Sequence, residues 1–120
     1  MKMSNEVKEM LEKMPFAPLT TVENNVPHLI VVGKAIVIDD ETVAFFGWRQ
    51  SVTSRNIEKN GIMQIAVVSE KRDKGYRLAG KGHVEKEGAI SDRLREIFPK
   101  QLGTLNFVTV MKVEQIESLL

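Results

Sequence analysis

Two apolar runs joined by Glu23-Asn24-Asn25, followed within about thirty residues by two more joined at Asp39-Asp40-Glu41, commit the first half of this chain to hairpins. Ala17, Leu19 and Thr21 alternate into the first turn, and Val26-Pro27-His28-Leu29-Ile30-Val31-Val32 leads out of it. Ala35-Ile36-Val37-Ile38 and Thr42-Val43-Ala44-Phe45-Phe46 flank the second. Strands linked by such short turns must lie side by side and antiparallel. The regular alternation of strands with long helices that a parallel sheet needs is missing. A chain of 120 residues with 42% hydrophobic content suits a single domain over residues 1–120.

The remaining segments add short helices and longer strands. Ser4 is placed to cap a helix whose Val7, Met10, Leu11 and Met14 form a one-sided stripe ending before Pro15. Residues 47–61 carry a strand end, a polar loop and a short helix stopped by Asn60-Gly61. Residues 62–68 are nearly unbroken apolar, which predicts a strand covered on both sides and so a partner subunit. Tyr76, Leu78, Gly80, Gly82 and Val84 alternate with charged residues in a strand with one wet face, and its glycines allow close backbone approach. A helix from about Ser91 to Pro99 follows, then a strand over 105–113 and a helical tail over 113–120. The pattern predicts a mainly β protein of about six strands and three or four short helices, closed as a small antiparallel barrel.

Composition narrows the function. Seventeen Lys and Arg against sixteen Asp and Glu leave a formal charge of +1, so no global field draws nucleic acid or an anionic membrane. With no cysteine there is no disulfide, thiolate metal site or cysteine nucleophile. The N-terminus has no secretory core and no run reaches a membrane span, which predicts a cytoplasmic protein. His28 and His83 are isolated from other ligands, so no metal site is predicted. Gly80-Lys81-Gly82 fails as a dinucleotide fingerprint because no strand-to-helix turn follows. Lys71, Arg72, Lys74, Arg77 and Lys81 cluster, but Glu70 and Asp73 dilute them, and a charged hairpin loop is the better reading.

The stretch with chemical promise is 46–57. Ser51, Thr53 and Ser54 open a helix, where free amides and the helix dipole favour an anion, with Arg49 and Arg55 as flanking cations. The same hydroxyls also serve as ordinary caps, and the arginines as solvated side chains. Trp48, the only tryptophan, either stacks on a planar ligand or plugs the barrel mouth.

Taken in order, 16–22, Val26-Pro27-His28, Val31-Val32-Gly33-Lys34, Asp39-Asp40-Glu41-Thr42, Thr53 with Arg55-Asn56-Ile57-Glu58-Lys59-Asn60, and Gly75-Tyr76-Arg77-Leu78-Ala79-Gly80 resemble the pyridoxamine 5′-phosphate oxidase-like split-barrel flavoproteins, above all the short FMN-binding proteins. The resemblance spans about residues 7 to 116. It implies a six-stranded split barrel that forms a homodimer with one FMN per subunit at the interface, acting in electron or hydride transfer as a flavin-dependent oxidoreductase. In the family the strand after the Pro-His turn lines the flavin, here Val31, Val32, Gly33 and Lys34. The loop and helix start hold the phosphate, here Trp48, Arg49, Gln50, Ser51, Val52 and Thr53 with Asn56 nearby, and a strand end, here Ser69, touches the ring or ribityl chain. Where relatives carry Lys-Thr or Arg-Lys for the phosphate, Val52-Thr53 keeps a hydroxyl and loses the cation, a change worth about 1.5–3 kcal/mol. Arg49, Arg55 and Lys71 are the cations left to compensate. Oxidation of pyridoxamine phosphate itself is not expected, because the substrate-binding Arg and His segment of that longer enzyme has no counterpart after Val113. Two rivals remain: a flavin-less dimer that binds another small molecule or a partner, and a haem-handling relative using His28 or His83.

Overall fold

The computed structural model describes residues 1–48, 51–98 and 106–120. Ser4 caps α1 (Asn5–Lys13), its hydroxyl accepting from the Val7 amide, and Val7, Met10 and Leu11 are buried beneath it. β1 (Phe16–Glu23) and β2 (Val26–Gly33) pair along their whole length. Asn24 and Asn25 join them at φ of 51° and 64°, the doubly left-handed turn whose twist matches that of the strands. β3 (Ile36–Asp39) and β4 (Thr42–Trp48) form the second hairpin. α2 (Val52–Asn60) starts on the Ser51 cap and stops at Gly61, which takes a φ of 71°. β5 (Ile62–Val68), β6 (Gly75–Glu85), α3 (Ala89–Ile97) and β7 (Asn106–Ser118) complete the chain.

The strands form one antiparallel sheet in the order β2-β1-β5-β6-β7-β4-β3. It curls until β2 lies against β4, and α1 and α2 fill the space inside. α1 packs on β3 and β5, while α2 packs on β1, β6, β4 and β5. Leu11, Leu19, Val43, Phe45, Ile65, Val67, Leu78, Met111 and Val113 are buried in the main core. A smaller cluster of Ala44, Leu94, Val108 and Val110 lies between α3 and the outer side of β4 and β7. Glu6 ties α1 to β6: it accepts from Lys74 Nζ at 3.0 Å and from the Tyr76 hydroxyl at 2.9 Å. Those hydrogen bonds, Lys74 foremost, hold its carboxyl below the usual range. The tie is therefore in place at neutral pH and is lost as pH falls through that lowered value.

Three expectations change. The sheet has seven strands rather than six. The helical tail is the second half of β7, which pairs with β6 out to Tyr76 opposite Ser118. Val113 and Ile116 have helical spacing, but β6 presents an eleven-residue edge whose amides and carbonyls need partners. α3 begins at Ala89, and Glu85 supplies an outside cap by accepting from the Ser91 amide at 2.9 Å. Within one chain β5 buries one face and leaves Ile62 and Val68 exposed on the other. β4 is covered on both faces within the chain, by the barrel core and by α3. Among the described residues no helix is long and apolar enough to cross a membrane.

Candidate functional site

β2 is an edge strand with a sheet partner on one side only, so its amides and carbonyls facing the split are available to a ligand. Val31 and Gly33 are exposed and lie opposite Pro18 and Phe16 of β1, and Lys34 follows, also exposed. Val32 points into the core. Ser69 stands beyond the end of β5, where its hydroxyl donates to Asp73 Oδ1 at 2.8 Å and accepts from the Lys74 amide at 3.1 Å. It thereby holds the β5–β6 turn. These residues sit at the barrel end closed by α1.

The second group lies at the end closed by α2. The Ser51 hydroxyl accepts from the Ser54 amide at 3.0 Å and donates to Ser54 Oγ at 2.9 Å, so it serves the helix cap. Val52 is 39% exposed, an apolar side chain on the first turn, and that turn contains no acidic residue. Thr53 and Asn56 are buried. Asn56 Nδ2 donates to Thr21 Oγ1 at 3.1 Å, but Asn56 Oδ1 and the Thr53 hydroxyl have no partner among the described residues. Trp48 ends β4 opposite Asn106, while Arg49 and Gln50 lie outside the described residues.

The two groups are separated by the run of β1 from Phe16 to Thr21, roughly 17 Å at the rise of a strand. Ser69 lines a cleft of about 640 Å³ between α1, the start of β1 and the β5–β6 turn. Phe16 and Pro18, to which the sequence alone assigns no role, line it too. Their signal lies in the alternation of β1, where exposed Phe16 and half-buried Pro18 interleave with buried Ala17 and Leu19. Of the basic cluster, Lys74 pairs with Glu6 and Arg77 with Glu117, as a charged hairpin would. His28 is half-buried opposite Thr21, and His83 is exposed on β6.

Flavin mononucleotide, the cofactor implied by the resemblance, fits the α2 end through neutral donors. The first amides of a helix have no intrahelical acceptor, the dipole there is positive, and the Thr53 hydroxyl is unpartnered. A buried hydroxyl with no partner is destabilising by about 1–3 kcal/mol. Replacing Thr53 with Val is therefore expected to raise the stability of the ligand-free protein by about 1 kcal/mol, read from urea denaturation. A loss of stability instead would show that the hydroxyl already has its partner.

The solved structure of HupZ from Group A Streptococcus is 27% identical, with a TM-score of 0.86 over 98% of this chain and 94% of that one. An F420 reductase shares the fold at 16% identity and a TM-score of 0.75, covering 96% of this chain and 98% of that one. General Stress Protein 26 from Bacillus anthracis does so at 15% identity and a TM-score of 0.75, covering 94% and 90%. A search of curated sequences gave no match. The family described as pyridoxamine 5′-phosphate oxidase matches residues 3–117. Together with the curled antiparallel sheet plugged by α1 and α2, that match shows that the chain belongs to the pyridoxamine 5′-phosphate oxidase family of split barrels.

Proposed function

We propose that this protein is a homodimeric FMN-binding oxidoreductase that passes electrons or hydride through the flavin. The observation that carries the reading is the unpartnered Thr53 hydroxyl on the first turn of α2, in a fold whose family uses flavin. The likeness to an F420 reductase supports a redox role. When bound, the flavin supplies the electron chemistry. The chain's share is to bind and orient. The backbone of Val31 and Gly33 would hold the ring along the β2 edge, and Thr53 with the α2 amides would hold the phosphate. A second copy, seated on the outer faces of β2, β1 and β5, excludes water. No side chain is needed as an acid or base.

The test is the absorbance spectrum of freshly purified protein, followed by FMN titration of the stripped form. A yellow chromophore or saturable uptake is expected. Failure of both ends the reading.

Val52 favours a second reading, a dimer on the same fold that has lost flavin. Under the FMN reading, Val52→Lys adds a cation beside the phosphate and is expected to tighten FMN about tenfold or more. The same change lowers ligand-free stability by about 0.3–1 kcal/mol, because a cation opposes the helix dipole. Unchanged FMN affinity alongside that loss of stability would favour the flavin-less reading.

A further inference from the structure

At the α2 end the lining of the barrel turns polar. His28 shares the inner face of β2 with Ile30 and Val32, which pack into the main core. The register sets it directly opposite Thr21 of β1, and side chains paired in this way stand roughly 5 Å apart at Cβ. Thr21 is buried, and its hydroxyl receives Asn56 Nδ2 from α2 at 3.1 Å. Thr53 lies three residues before Asn56, one turn away on the buried side of α2. Two strands and a helix thus bring His28, Thr21, Asn56 and Thr53 to one place. β2 also carries Val31 and Gly33, so His28 joins the two ends of the candidate site along a single strand.

Three groups there are left open. Asn56 Oδ1 and the Thr53 hydroxyl are buried without a partner among the described residues. Half-buried His28 has no hydrogen-bond or ion-pair partner among them either. Their chemistry differs: the imidazole offers a ring N–H, the hydroxyl both gives and accepts, and the amide oxygen only accepts. A bare phosphate supplies acceptors alone and leaves Asn56 Oδ1 unmatched. A phosphate ester on a hydroxylated carbon chain supplies acceptors and a donor together.

We propose that His28 is a further ligand-binding residue of the α2 end, its ring N–H donating to the phosphate of FMN in place of the cation that Val52 lacks, while Asn56 Oδ1 accepts from a hydroxyl of the chain that carries the phosphate. The inference rests on the FMN reading and adds to it a residue from β2.

FMN and riboflavin, which has the same rings and hydroxyls without the phosphate, test it as titrants. His28→Leu is expected to weaken FMN about tenfold and to leave riboflavin unchanged, because only the phosphate loses a donor. His28→Gln, which keeps an N–H, should recover part of the loss. The chain has only two histidines. In nitrogen-resolved spectra of labelled imidazoles, His28 should shift on FMN saturation, and His83, exposed on β6, should not. The spectra need no variant and decide the matter even if His28→Leu fails to fold. FMN uptake with silent His28 signals, or His28→Leu weakening riboflavin as much as FMN, would overturn the inference and leave the FMN reading standing. No FMN uptake by the unsubstituted protein would end both.

Discussion

Gly80→Ala is expected to cost more than about 3 kcal/mol, enough to leave much of the protein unfolded at room temperature if its total stability lies near the low end of the usual 5–15 kcal/mol. A Cβ at position 80 would stand 1.9 Å from the carbonyl oxygen of Lys112 and 2.9 Å from its carbon. Both are backbone atoms of β7, at the irregular step where β6 shifts register between Ala79 and Gly80. Relief requires β6 and β7 to separate along the longest pairing in the sheet. Gly82 is the control. A Cβ there meets Met63 Sδ at 2.2 Å and Ile57 Cγ2 at 3.4 Å, and a thioether can swing aside where a carbonyl cannot. Gly82→Ala should therefore be the milder change in urea denaturation. Equal midpoints for the two variants would show that the β7 backbone yields as readily as a methionine side chain.

A lysine at Leu29 or Val31 is expected to turn the proposed dimer into a monomer, raising its dissociation constant at least about a hundredfold while leaving the fold of each subunit intact. Leu29 and Val31 are 68% and 62% exposed, so neither supports the core. The register places Val31 beside Pro18, and Leu29 beside Thr20 and then Gln64. With exposed Phe16, Ile62 and Val68 they make an apolar surface across three strands, of a kind that soluble proteins seldom leave in water. A two-fold interface presents each substitution twice, so two buried charges oppose association. Surface changes away from such an interface shift stability by only about 0.5 kcal/mol. Sedimentation equilibrium measures the first effect and thermal unfolding of the monomer the second. Wild-type protein that stays monomeric at high micromolar concentration would sink the dimer and the shared flavin groove with it.

The elements whose ends are fixed by their own neighbours are legible in the amino-acid order alone. Ser4 and Ser51 cap their helices as their spacing predicts, Gly61 stops α2, and Asn24-Asn25 makes the first hairpin. Each is decided within four or five residues by caps and left-handed turns. The α2 half of the candidate site is legible for the same reason, since a helix start shows itself in local sequence. Gly80 and Gly82 are also legible as points of close approach, and the Gly82 amide donates to the Gly61 carbonyl at 2.7 Å. What each glycine approaches is not. The β5 run shows that a strand can be buried on two sides, not what covers the second.

By itself, then, the amino-acid order determined the antiparallel class, the hairpins, the capped helices and the neutral, hydroxyl-bearing first turn of α2. Only the tertiary structure decided that residues 113–118 extend β7 along β6, that α3 covers the outer side of β4, and that Phe16, Met14 and Arg72 meet at one cleft. Caps and turns are hydrogen-bonded within a few residues and so are written locally. Strand edges, covered faces and clefts depend on which distant segments come together when the sheet curls, and that is settled by backbone groups and apolar surfaces seeking partners across the whole chain.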